Sequence, residues 1–393
     1  MLAGFAQTVL IALAPSLPGL TLLDDAVVVL LVFAALSRIG KAPAVPIYMI
    51  FCWVLLMVFG AAFSTVTESL TFVLFRQVTI PVLLVFIGLT LTRDEWRAVT
   101  KVAIWIGIIN ALYMTLEFIG VRVLDPETLA TYDRTHLVMR DGLPAYYFYY
   151  ADAFGLGQLT RLGGTVLNPP IAGLVTGGAL ALLWYTKDFS RRKMWLVLLA
   201  VTTALTYGRG GILVAAAAIV LPYLIRKIGA FAALVVSAPV VYLIGTQLAE
   251  DGNSGIHADG LTEGVRFAFD GVIGTGFGTI GNALKAEGIT RVSESLMGIG
   301  FAAGGVLAIA VAAALAVKLF TSIGKSGNWE AAVGLGVLVA AMFSESAGAL
   351  NGTIPLWIAI GVALRKAHDF RGQASIDGDA SADAVSIARS AKA

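Results

Sequence analysis

Apolar residues gather in long runs along this chain, and short segments between the runs hold most of the charge. The runs lie near 3–19, 21–37, 43–62, 70–92, 98–120, 168–186, 194–208, 210–225, 228–248, 294–317, 329–347 and 352–365. Their lengths come close to the ~20 residues a helix needs to cross ~30 Å of hydrocarbon. The pattern therefore predicts an all-α polytopic membrane protein with about twelve transmembrane helices. Two long segments interrupt it, roughly 121–167 and 249–293, and the chain closes on a small, polar stretch from 370 to 393 that predicts a disordered tail. No internal repeat is visible, which gives no support to an inverted-repeat transporter.

Composition agrees with this picture. Of the 393 residues 58% are hydrophobic and only 13% are charged, against about a quarter charged in a soluble domain. The net charge of +2 gives no reason to expect a nucleic-acid partner. The single cysteine, Cys52, lies in an apolar run and excludes both an internal disulfide and a paired-cysteine metal or redox site. The first residues lack a basic start and a cleavage site, so they are expected to be a retained first span.

Basic residues set the expected orientation. Of the 27 Lys and Arg, 18 fall in one set of loops and in the tail, eight fall in the opposite set, and Arg76 falls within a span. The richer set is expected to be cytoplasmic, with both termini inside and both long loops outside. Seven of the eight outer cations are arginines. A guanidinium is always charged and binds phosphate or carboxylate in a fork, so an anionic ligand on the outer side is expected.

Arg209, in the stretch TALTYGRGGILV (203–214), carries that expectation furthest. Its flanking runs are short, about 14 residues or ~21 Å of helix, so the cation lies at or below the outer interface, where charge is costly and usually functional. Gly208, Gly210 and Gly211 would let backbone approach a ligand. The plain alternative is an arginine reaching for lipid phosphates from a hairpin tip.

Four stretches occur in order: RLGGTVLNPPIAG (161–173), TYGRGG (206–211), LTEGVRFAFDGVIGTGFGTIGN (261–282) and RVSESLMGIGFAAGG (291–305). Together they resemble the O-antigen ligase and O-antigen polymerase family of envelope glycosyltransferases. The family's Arg-x-x-Gly-Thr-x-x-Asn-Pro element falls on Arg161, Gly164, Thr165, Asn168 and Pro169. Its Ser-Arg-Gly element falls on Gly208, Arg209 and Gly210, without the usual Ser. An Arg-rich loop leading to Gly-x-Gly-x-Gly falls on Arg266, Gly274, Gly276 and Gly278, and a pair before a glycine-bearing span falls on Glu294 and Ser295. The likeness is good over roughly 160–310; elsewhere it rests on span count alone.

The resemblance implies a GT-C-like transmembrane glycosyltransferase domain over 1–369, followed by a cytoplasmic tail at 370–393. It implies a polyprenyl-pyrophosphate-linked glycan as donor and a second glycan as acceptor. Membrane lipids and a chain-length regulator would be further partners, and no cofactor or metal is implied. Arg209, Arg266 and Glu294 are the expected catalytic residues. Arg161, Arg76, Arg291, Asn168 and Tyr149 are expected to bind substrate. Ligases of the family usually carry His where this chain has Glu294, which favours a polymerase. Transfer of a finished glycan to lipid A core, protein or another acceptor is the near alternative, and a secondary transporter or lipid flippase is the alternative of another class.

Several candidates have plainer readings. Arg76 could pair with Glu68 or Glu117, and Glu294 with Arg291. The aromatic run AYYFYYADAF (145–154), which contains Tyr149, could form an interfacial belt rather than a sugar platform. Asp133, Arg134, His136, Asp141 and His257 read as ordinary loop residues. GTGFG (274–278) lacks the strand-then-helix setting and the Lys of a nucleotide loop, and is expected to be a tight re-entrant turn.

Overall fold

The computed structural model describes residues 2–13, 23–127, 139–140, 143–144, 147–150, 158–246, 255–281, 284, 295–323 and 328–369. Thirteen α-helices are present among them. They are α1 (Leu2–Leu13), α2 (Leu23–Leu36), α3 (Ala44–Ala62), α4 (Glu68–Thr90), α5 (Arg93–Phe118), α6 (Pro169–Tyr185), α7 (Arg192–Leu205), α8 (Arg209–Ile228), α9 (Ala230–Thr246), α10 (Gly255–Ala268), α11 (Leu296–Ile323), α12 (Trp329–Phe343) and α13 (350–369). A helix lies on each of the twelve apolar runs, and α10 is additional. Five of the helices, α3, α4, α5, α8 and α11, are long and apolar enough to cross a membrane. α6, α12 and the first part of α9 are shorter apolar helices. The chain is thus an all-α membrane protein, with two short antiparallel hairpins in the 121–167 segment: β1 (Met139–Arg140) with β2 (Leu143–Pro144), and β3 (Phe148–Tyr150) with β4 (Gln158–Thr160).

Exposure separates the perimeter from the core. Large apolar side chains stand in the open on α2 (Leu30, Phe33), α3 (Tyr48, Phe51), α5 (Trp105, Phe118) and α9 (Phe231). A soluble protein would not expose so much contiguous apolar surface, whereas lipid-facing helices do. The centre is formed by α6, α8, α12 and α13. Small residues let these helices approach closely, as membrane packing favours. A Cβ built on Gly211 of α8 would sit 2.0 Å from the Gly173 carbonyl oxygen of α6, and one on Gly88 of α4 would sit 2.2 Å from that of Ile358 in α13.

The bundle has two chemically distinct ends. At the basic end Arg38 pairs with Glu95 at 2.7 Å, Arg365 donates to the Leu91 carbonyl, and buried Glu330 accepts from Lys366 and from the Trp96 indole. Tyr185 stacks on Trp329 there, with ring centres 5.1 Å apart. The opposite end carries the α3–α4, α7–α8 and α12–α13 turns and the described parts of both long segments.

α11 is broken at Gly305 (φ 67°, ψ −161°). The GTGFG stretch fits into this break. Thr275 N–H donates to the Ala302 carbonyl at 2.9 Å, Phe277 N–H donates to Gly60 at the end of α3, and the Phe277 carbonyl accepts from Thr65 N–H. Gly274 has φ 77°, and a Cβ on it would strike the carbonyl oxygens of Ala302 and Ala303. The expected tight turn is present, and its glycines are required by backbone packed against backbone.

Candidate functional site

The site is assembled at the end opposite the basic one, from α5, the 161–168 segment, and the turn between α7 and α8. α7 ends at Leu205, and Thr206, Tyr207 and Gly208 turn the chain into α8. Tyr207 lies in the left-handed region at φ 47°, an uncommon conformation for a residue with a side chain. The buried Thr206 hydroxyl donates to the Thr203 carbonyl and accepts from Gly208 N–H. Arg209 opens α8 as its first residue. Gly208 at the N-cap provides no side-chain cap, so the positive end of the helix dipole carries a cation beside it rather than a carboxylate. One terminal nitrogen of Arg209, Nη1, is buried.

Arg161 reaches this turn from the side. Its Nε donates to the Thr206 carbonyl at 2.7 Å and its Nη2 to the Tyr207 carbonyl at 3.4 Å. The structure therefore brings Arg161 and Arg209 to one corner. The two have different roles there, since Arg161 grips backbone and fixes the turn that presents Arg209.

The rest of the 161–169 motif is built in the same way. The Gly164 N–H donates to Glu117 Oε2 of α5 at 2.7 Å. Asn110 Oδ1, one helical stretch earlier in α5, accepts from both the N–H and the hydroxyl of Thr165. Asn168 caps α6 by accepting from Ile171 N–H, and Pro169 follows at the first helical position, where its missing N–H costs nothing. Tyr147, from the aromatic run, is fully buried, with its ring over Gly163. Tyr149 pairs with Leu159 in the β3–β4 hairpin; its side chain is outside the described residues.

The remaining expected residues fall elsewhere. Arg76 of α4 lies 2.6 Å from Asp25 and 3.5 Å from Asp24, both on α2, so its ion pairs are with these two carboxylates and not with Glu68 or Glu117. Arg266 projects from α10 with its side chain three-quarters exposed, 3.5 Å from Glu263. The face of α10 that packs on α11 includes Gly260 and Gly264, which meet Gly298, and position 266 is on the opposite side. Glu294, Arg291, His136, Asp133, Arg134, Asp141 and the 370–393 tail lie outside the described residues, as does the side chain of His257. Ser295 is described: it is buried, and its hydroxyl accepts from Gly298 N–H in the first turn of α11.

The glycines of TYGRGG also differ from expectation. Gly210 faces Leu174 and Gly211 faces the Gly173 backbone, so the space they leave is filled by α6 rather than open to a ligand.

One further carboxylate belongs to this end. Glu345, in the 3-10 turn Glu345–Gly348 after α12, accepts from Gln77, the neighbour of Arg76. The sequence signal for it was a charged residue inside the run expected to span 329–347. No protein-family model, curated protein or solved structure matches this chain.

Proposed function

We propose that the protein polymerises lipid-linked oligosaccharide units at the outer face of a bacterial cytoplasmic membrane. The Lys- and Arg-rich end and both termini face the cytoplasm in this assignment. The observation that carries it is the α7–α8 corner, where Arg161 fixes the turn and Arg209 stands at the head of α8, at the end opposite the basic one.

That corner suits the departure of a pyrophosphate. The acceptor hydroxyl oxygen forms a bond to the anomeric carbon of the donor. The bond from that carbon to the phosphate oxygen breaks, and its electron pair stays with the polyprenyl pyrophosphate. Charge grows on the leaving phosphate oxygens. A preoriented guanidinium at a helix N-terminus stabilises that charge, and one such donor contributes about 3–4 kcal/mol in comparable sites. The acceptor's proton goes to a carboxylate. Glu294 holds this role by its place in the sequence, and Glu345 is one of the described carboxylates at the same end. Attack opposite the leaving group inverts the anomeric centre. In this reading Arg266 meets the hydrophilic part of a glycan; its exposure on α10 supports that role.

The test is to supply lipid-linked oligosaccharide to the purified protein in lipid nanodiscs. A ladder of products supports polymerisation. A single product, formed only when a non-isoprenoid acceptor is present, identifies a ligase. No product, together with solute uptake in vesicles, overturns the enzyme assignment in favour of transport.

A further inference from the structure

Glu117 is a carboxylate near the end of an apolar helix, only 4% exposed, and no step of the proposed reaction uses it. Charge in such a position is costly and usually has a function. Its hydrogen bonds are with backbone, and the Arg122 guanidinium lies near enough to interact with its charge. Oε2 accepts from Gly164 N–H at 2.7 Å, and Asn110, two turns earlier on α5, accepts from Thr165 N–H at 2.8 Å and from its hydroxyl at 2.9 Å. The segment between these contacts and the turn has no slack. Gly164 is at φ 61°, a Cβ on it would lie 2.2 Å from Asn110 Oδ1, and Leu162 to Leu167 are all buried. Three residues before Gly164, Arg161 holds the carbonyls of Thr206 and Tyr207.

We propose that Glu117 is a positioning residue for Arg209, acting through the 161–165 segment and the Arg161 clamp without touching Arg209 itself. The proposal rests on the role given to Arg209 above. Tyr207 at φ 47° is a conformation that persists only where its surroundings over-determine it. The α5 side chains supply part of that determination from the far side of the clamp. The brace needs a hydrogen-bond acceptor at position 117, and an amide oxygen meets that need as well as a carboxylate does. A proton- or ion-carrying role for Glu117, by contrast, would require its charge.

Hydrogen–deuterium exchange on the full chain in nanodiscs tests this. The probe is the set of amides around the turn, including Thr206 and Tyr207, which bond to Thr202 and Ala204, and Gly208, which bonds to the Thr206 hydroxyl. Glu117→Leu is expected to speed their exchange about tenfold, as is Arg161→Ala, because the support of the turn opens locally. The two changes together are expected to add little beyond either alone. Glu117→Gln is expected to stay within about twofold of wild type and to keep glycan product formation. Thr165→Val, which removes only the hydroxyl contact to Asn110, is expected to give a smaller acceleration in the same amides. It decides the matter should Glu117→Leu fail to fold. Unchanged exchange at 206–208 in both Glu117→Leu and Thr165→Val overturns the brace, and so does a Glu117→Gln variant as loose or inactive as Glu117→Leu. If the wild-type protein makes no glycan product, the enzyme assignment fails, while the exchange data still decide whether position 117 supports the turn.

Discussion

Glu117 and Glu330 are both buried carboxylates on apolar helices, at opposite ends of the bundle, and their partners are of different kinds. Glu330, 1% exposed, accepts from the Lys366 ammonium and the Trp96 indole, so its charge is balanced by a cation. Glu117 accepts its hydrogen bond from a backbone N–H of a loop, with Arg122 near it as a charge but not as a hydrogen-bond partner among the described residues. Glu330 thus ties helices together through other side chains, whereas around the α7–α8 corner Glu117, Asn110 and Arg161 grip backbone. Side-chain pairs tie helices together. Side chains bonded to loop backbone fix the path of the chain between helices, which is what presenting Arg209 at a set position requires.

The largest effect that would separate the two ends is expected from Glu330→Leu. It leaves Lys366 and the Trp96 N–H without their acceptor and is expected to cost about 3–5 kcal/mol, less what Lys366, one-third exposed, recovers by turning to solvent. Adding Lys366→Leu should restore most of the loss, as measured by apparent melting temperature in nanodiscs. Recovery by the second change would establish Glu330 as a charge partner. Failure to recover would mean that it holds backbone as Glu117 does.

Arg161→Ala comes next. It removes charge-assisted bonds to two carbonyls, expected to cost about 2–3 kcal/mol, and it should abolish product even where the protein still folds. Full activity in a folded Arg161→Ala protein would show that the turn does not need its clamp. Arg161→Lys should lose most of the product as well, because an ammonium cannot reach both carbonyls from the geometry of the fork.

The smallest effect is expected at Arg266. Exposed ion pairs contribute about 0–1 kcal/mol, so Arg266→Lys should leave stability unchanged and reduce product formation only a few-fold. Loss of all product in this variant, with Arg209→Lys still active, would move the reaction centre from the α7–α8 corner to α10.

Most of the fold was legible because a membrane helix has a long apolar signature, and every expected run carries a helix. α10 was not, since its 14 residues include His257, Asp259, Glu263 and Arg266, so it lacks the long apolar signature of a span even though Leu261 and Val265 pack against the core. The site was legible in part. The spacing of Arg161, Gly164, Thr165 and Asn168 marked a segment with a definite structure, but the sequence suggested ligand contacts where the structure has a clamp, two loop anchors and a helix cap. The partners of Arg76 were missed because Asp24 and Asp25 lie about fifty residues away, on a helix whose packing against α4 no local pattern encodes. Glu345 was absorbed into an apolar run because the end of α12 is decided by Ser344, whose side chain caps the following turn, and not by any drop in hydrophobicity.

Arg209→Lys tests the central claim most directly. Lysine keeps the positive charge at the head of α8 but loses the fork. Assayed with lipid-linked oligosaccharide in nanodiscs, with melting temperature and hydrogen exchange at 206–208 matching wild type, the variant should form no product ladder. A ladder of near-normal length and rate from that folded variant would contradict the assignment of the α7–α8 corner as the place where the pyrophosphate departs.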